Sequence, residues 1–337
     1  MTALKNTLKT SILSLAALST LVACGQQDIG FNAAIPDSEL LTMDFPGTAS
    51  TTASVDVSTF DGFLAKTAID EGEEVQPARC FDATKTLAEN ANKNVSYVLD
   101  TLDRVTEGPY TELSENTYLW GPMEDTENGV IKQLFVTANA DGSYVYDFQA
   151  APIDTGSFLS IVTGVIDAGS TNTVGSGSFV KNLDNLETVQ PTGERAGVMT
   201  FDYSQDAEKI RVIDVDMVGY LFDNGEISDA NLFFDRAADG SGQLDWYRWR
   251  DLSTSDPAET AMENSQWRSR WTPEHAGRCD GKMTDGELGT HLVTAHECWD
   301  TTTAQIWYTR ELDGTTVDGT TTGDSSLCAF AEASYAE

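Results

Sequence analysis

Two short segments concentrate the side chains best suited to hold a ligand. Trp246-Tyr247-Arg248-Trp249-Arg250 and Trp267-Arg268-Ser269-Arg270-Trp271 carry four of the chain's seven tryptophans and four of its arginines. Both have strand-like alternation, so pairing them is expected to build a ladder of Trp and Arg on a sheet face. Aromatic faces and planar guanidinium groups suit a sugar ring or an anionic ligand. The plainer role of such a ladder is structural, through cation–π and Arg–carboxylate contacts that contribute about 0.5–1 kcal/mol each when exposed.

Other chemistry is sparse. The chain has no G-x-S-x-G turn, no H-E-x-x-H and no phosphate-binding P-loop, and its three histidines are His275, His291 and His296. With 54 acidic residues, no carboxylate pair for glycan hydrolysis can be singled out, and no strict calcium loop is present. Gly175-Ser176-Gly177-Ser178-Phe179 opens a strand rather than a helix, which fits a bulge or a tight strand crossing. No catalytic residue, cofactor or metal site is assigned.

Residues 1–23 read as an export leader. Lys5 and Lys9 precede an apolar run over Ile12–Val22, too short for a permanent membrane helix. The run ends in Leu21-Val22-Ala23-Cys24-Gly25, which resembles the lipobox of bacterial lipoproteins. The resemblance implies cleavage before Cys24, a lipid on its sulfur and acylation of its new amino group. Several acyl chains make a durable anchor. Gln26, rather than an acid, after Gly25 implies the outer membrane, on its periplasmic face or at the cell surface. A formal charge of −34 argues against nucleic acid or anionic headgroups as partners, and its even spread fits solubility in a saline habitat.

Four further cysteines, Cys80, Cys279, Cys298 and Cys328, read as two disulfides in an exported chain. Three connectivities are open. Cys279 and Cys298 flank a hairpin-like stretch and are the expected pair, leaving Cys80 to join Cys328. A zinc site with His296 is the weaker alternative, since no C-x-x-C is present.

The positioning elements follow from periodicity. Residues 24–58 read as a lipidated tether with an apolar island at Leu40, Leu41, Met43 and Phe45, suited to an edge strand. Residues 59–337 form one β-rich domain. Leu87, Ala91, Val95, Val98, Leu102 and Val105 form one helical stripe, which predicts an amphipathic helix over about 82–107, ended by Gly108-Pro109. The chain has nine Asn-Gly or Asp-Gly dipeptides, and those beyond the helix, Asp141-Gly142, Asp239-Gly240 and Asp280-Gly281 among them, punctuate alternating segments. The expected fold is mainly β: a large antiparallel meander, half-barrel or barrel-like, of about ten to twelve strands with the helix packed on it.

The Gly-x-Gly-x-Phe stretch, Trp267 to Asp280 and Glu297-Cys298-Trp299-Asp300 resemble segments of lipoproteins from myxobacteria and their relatives, a likeness that brings no activity with it. The order of helix then long sheet is similar to the half-barrel of Lol-type lipoprotein carriers, a fold-level analogy. The favoured reading is a non-enzymatic envelope lipoprotein with a binding or structural role. A carrier of lipid or another apolar ligand, with a cavity lined by Tyr144, Tyr146, Phe148, Met199 and Phe201, is the first alternative. A glycan-acting hydrolase is the second.

Overall fold

The structure, a computed structural model, describes residues 29–46, 78–222, 225–251 and 261–333. The leader, Cys24 and about half of the tether, residues 24–28 and 47–58, lie outside the described residues.

One antiparallel sheet dominates. Its strands are β1 (Tyr110–Ser114), β2 (Thr117–Asp125), β3 (Val130–Ala138), β4 (Tyr144–Pro152), β5 (Leu159–Ile166) and β6 (Gly175–Asn182). They continue as β7 (Val198–Gln205), β8 (Arg211–Leu221), β9 (Ile227–Arg236), β10 (Gly242–Arg250) and β11 (Glu263–Trp271). The last are β12 (Gly277–Asp285), β13 (Val293–Trp299), β14 (Gln305–Leu312) and the short β15 (Thr315–Thr316) and β16 (Thr322–Gly323). Each strand from β1 to β15 pairs with its neighbours in sequence, and β16 returns to β14. The sheet is thus an open meander, with more strands than the sequence suggests because the two edges add short ones. Tight turns hold it in register: Gly142 and Gly240, with φ of 89° and 91°, end the β3–β4 and β9–β10 connections. Asp280-Gly281 is no turn. It lies inside β12, with Gly281 opposite Trp267 and Ala295.

Among the described residues, four α-helical segments accompany the sheet: α1 (Phe31–Ala34), α2 (Ser38–Leu41), α3 (Arg79–Thr106) and α4 (Leu183–Val189). α3 is the expected amphipathic helix, starting three residues earlier. It buries the whole predicted stripe together with Phe81 and Leu99. Twenty-eight residues at 1.5 Å each give a rod of about 42 Å. Its N-terminus is fixed at β11–β13: Cys80 is bonded to Cys279, Thr84 Oγ1 lies 2.6 Å from Ser269 Oγ, and Glu297 accepts the Arg79 and Cys80 amides at 3.2 and 2.6 Å. Its other end reaches β2 and β3.

The disulfides are Cys80–Cys279 and Cys298–Cys328, which corrects the expected pairing. In the β12–β13 hairpin Cys279 faces Glu297 while Cys298 faces Arg278. Residues one step out of register point to opposite faces of a sheet, so Cys279 turns toward α3 and Cys298 toward the outer surface. Two disulfides fit an oxidising, non-cytoplasmic compartment. Among the described residues no helix is long and apolar enough to cross a membrane.

The apolar island of the expected tether docks on the domain, though as α2 and an extended stretch rather than an edge strand. Phe31, Leu40, Leu41, Met43 and Phe45 are all buried. Phe31 packs against Trp120, Tyr144 and Tyr146 near β2–β4. Phe45 meets Phe81 and Trp271 near β11. Asn92 of α3 clamps the Met43 backbone with reciprocal bonds of 2.7 and 3.2 Å. The core thus runs from Phe31 to Tyr308 among the described residues.

Candidate functional site

Register divides the inner face of the sheet into three parallel rows, each two residues from the next along every strand. The first row runs Tyr144, Gly177, Tyr203, Ile213, Phe234, Leu244 and is covered by residues 31–45. The middle row runs Tyr146, Phe179, Phe201, Val215, Leu232, Trp246 and lies beneath α3. The third row runs Phe148, Val162, Lys181, Met199, Met217 and Ala230. The flank of α3 meets it through Asn94, which accepts from Lys181, and clefts run along that flank.

Three clefts make up a groove there. A cavity of about 160 Å³ lies between Leu87, Ala91 and Asn94 of α3 and Met199, Met217, Phe222 and Trp246 of the sheet side. A cleft of about 190 Å³ adjoins it through Asn94 and Tyr220 and is bounded by Lys181, Leu186, Glu194 and Arg195. The third, of about 410 Å³, shares Tyr97 and Leu186 with the second and has Phe148, Ala150 and Ile161 on its floor. Its rim is polar, with Asp100, Arg104, Glu124, Asp125 and Lys132. Hydrogen bonds from Lys132 and Asn128 hold the Asp125 carboxyl down to about 2, making it a fixed anion rather than a proton donor.

At the centre of the groove stands Lys181. It is only 5% exposed, and among the described residues no carboxylate lies within 4.0 Å of its ammonium. Nζ donates to Asn94 Oδ1 at 2.9 Å and lies 4.5 Å from the Tyr97 ring centre. Asn94 is itself oriented by donating to the Asn90 carbonyl at 3.2 Å. Burial, then the nearby Arg195, pushes the lysine down to about 8, so it remains a cation at neutral pH.

The expected apolar cavity is corrected by these rows. Tyr146 and Phe201 are core under α3, and Tyr144 is packed beneath Phe31, its hydroxyl donating to the Ile29 carbonyl at 2.9 Å. Phe148 and Met199 reach the groove. Lys181 is the residue sequence reasoning missed. The alternation Phe179-Val180-Lys181 carried the signal, since a lysine two places from an inward Phe points inward too.

The Trp/Arg ladder is also corrected. β10 and β11 do pair, with Trp246 opposite Trp267 and ring centres 5.8 Å apart. Yet the segments divide between faces. Trp246, Arg248, Arg250, Trp267 and Trp271 point inward and are buried, whereas Trp249, Arg268 and Arg270 point outward. Arg248 lies 3.5 Å over Phe222 and pairs with Glu226 at 2.8 Å. Burial lowers the Arg250 guanidinium to about 10, against the opposing charge of Glu263. Outside, Arg268 grips Asp245 with two bonds of 2.7 and 2.6 Å. These arginines hold strands together and present no common platform.

Farther along the outer face, Asp280 is fully buried and binds Arg270, Arg278 and His296 at 2.9, 2.7 and 2.8 Å, while the Ala333 amide donates to it at 2.9 Å. Burial works to raise this carboxyl, but His296 and Arg278 prevail and hold it below its usual range. His296 stacks on Trp307 with ring centres 6.2 Å apart. Its bonded partner is a carboxylate already shared with two arginines, an arrangement that locks the C-terminal segment to the sheet. Asp251, Glu263 and Glu287 bring carboxylate oxygens within 4.8 Å of one another, beside Arg250. The carboxyls of Asp82, Asp103 and Asp214 are held above their usual range, chiefly by burial, and none of the three lines the groove.

Comparison with known proteins finds no matching family model, no curated relative and no similar solved structure.

Proposed function

We propose that this chain is an outer-membrane lipoprotein, held by acyl chains on Cys24, whose domain binds an apolar or amphipathic ligand without cleaving it. The observation that carries the binding role is the third row of the inner face. Met199, Met217 and Phe148 of that row, with Trp246 of the middle row, line clefts along the flank of α3. Pockets that hold small molecules are mostly apolar with a few placed polar groups, and the cavity beside Met199 and Met217 has that composition. The lipobox resemblance and the two disulfides support the envelope address.

Native mass spectrometry of the chain from residue 25 onward, exported to an oxidising compartment, tests the binding role. The expected result is added mass, removed by organic extraction and identified as an apolar or amphipathic molecule. A bare mass, unchanged after incubation with medium-chain amphiphiles, overturns it.

A further inference from the structure

Resting on that reading, we propose that the groove selects an amphiphile with a single carboxylate head, seated on Lys181 and Arg195, and a medium-length acyl tail in the adjoining cavity. The argument begins with cost. A buried ammonium without a carboxylate partner loses hydration that nothing in the described fold returns in full. Met would fill the same position in an apolar row without that cost. Lys181 nevertheless occupies it, in a chain with only 20 cationic residues against 54 acidic ones.

Its donors define what it can receive. An ammonium has three N–H groups. One goes to Asn94, whose orientation is set by Asn90, and the Tyr97 ring covers a second side. The remaining capacity borders the cleft of about 190 Å³ that Arg195 also lines. Two cations there favour an anion, and Glu194 on the same wall disfavours a doubly charged head such as a phosphate monoester. A carboxylate meets both conditions.

The tail is set by the neighbour. The cavity that shares Asn94 and Tyr220 with this cleft measures about 160 Å³ and is lined by Leu87, Met199, Met217 and Trp246. An engineered apolar cavity of about 150 Å³ takes up benzene, a six-carbon ligand. A tail of about six carbons beyond the head region therefore fits, which gives a saturated acid of eight to ten carbons.

The test uses the full acylated chain in phosphatidylcholine vesicles and two photoactivatable probes, a ten-carbon fatty acid with a terminal diazirine and the corresponding alcohol. Labelled peptides are mapped by mass spectrometry. The acid is expected to label the Met199 and Met217 peptides at least about tenfold more than the alcohol at equal free concentration, as a charge-assisted contact allows. Lys181→Met is expected to erase that preference while alcohol labelling persists, and Lys181→Arg to retain it. Persistent alcohol labelling together with an unchanged or higher melting temperature shows that Lys181→Met is folded. Arg195→Gln, on the rim, gives a second reading and is expected to weaken the preference by several fold. Equal labelling of wild type by acid and alcohol overturns the carboxylate inference and leaves the groove as an apolar binder. A preference that survives both Lys181→Met and Arg195→Gln overturns it as well. No labelling of groove peptides by either probe overturns the binding function itself.

Discussion

Glu297→Gln is the most informative single change for the fold, because one buried carboxylate holds the start of the longest helix. Glu297 is 0% exposed and accepts the amides of Arg79 and Cys80, more than two hundred residues away in sequence. Those amides belong to the first turn of α3, where the helix leaves its N–H groups unpaired and its dipole is positive. Glutamine keeps the shape but offers one acceptor oxygen, so one amide is left facing an NH₂ group. The lost bond to a charged acceptor is worth about 1.5–3 kcal/mol. The lost charge at the helix end adds about 1 kcal/mol in a buried setting. About 3 kcal/mol in a domain of this size corresponds to a drop in Tm of roughly 5–10 °C. Thermal unfolding followed by circular dichroism measures it, with the exposed edge-strand change Glu112→Gln as a control that stays within about 0.5 kcal/mol. Hydrogen exchange at Arg79 and Cys80 should rise in the variant while exchange in the middle of α3 changes less. A Tm within 1 °C of wild type would refute the claim that this carboxylate anchors the helix.

Three further outcomes are expected. Non-reducing peptide mapping should recover Cys80–Cys279 and Cys298–Cys328 linkages, and Cys279→Ser should free Cys80 alone; the loop it opens spans 199 residues, so stability should fall by up to about 5 kcal/mol on the chain-entropy account. Metabolic labelling with palmitate should mark the wild-type chain, and Cys24→Ser should abolish the label and release the protein from the membrane fraction. Lys181→Met should reveal the pH dependence of the buried lysine, which faces Tyr97 and Arg195 with Glu194 nearby. Because its folded value of about 8 lies below the usual lysine value of about 10.4, the unfolded state binds more protons between them. Wild-type stability relative to Lys181→Met should therefore rise from pH 8 to about 10.5, by roughly 3 kcal/mol in denaturant titrations, and be flat below pH 7. A falling difference over that window would contradict the depressed value.

Much of the architecture was legible because it rests on periodicity. The stripe from Leu87 to Val105 named its own helix, and the Asp-Gly turns spaced the strands. What failed was parity. Cys279 and Cys298 sit at the right separation for a hairpin bridge, but the turn places Glu297, not Cys298, opposite Cys279. A shift of one residue would have set them side by side, and nothing local to either cysteine reports it. The same parity sent Arg248 and Arg250 inward and Arg268 and Arg270 outward, although all four read alike in sequence. Arginine tolerates either face when its guanidinium finds a carboxylate, as Arg248 does in Glu226. Phe31 was hidden differently, and the island at Leu40, Leu41, Met43 and Phe45 read as an edge strand: a short apolar island in a polar stretch does not reveal that it packs over the inner face.

The groove follows from how much cover the sheet needs and how much the chain provides. Adjacent rows on one face stand about 6.8 Å apart along the strands, so three rows with their side chains are wider than one helix of 10–12 Å. α3 lies over the middle row, and residues 31–45 lie over the first, locked by Asn92 on Met43 and by the Tyr144 hydroxyl on Ile29. The third row is met by the flank of α3, through Asn94 on Lys181, and by α4, a seven-residue helix beside Lys181, with clefts left between them. Leaving apolar side chains such as Met199 and Met217 beside an incompletely filled cavity forfeits packing that a covering segment would supply. The cost is sustainable because the N-terminus of α3 is held by a disulfide, a carboxylate and the Thr84–Ser269 contact, so the helix does not depend on the third row for its position. A helix pinned firmly at one end can leave its flank free, and a ligand that fills that flank gains the burial the fold has left unclaimed.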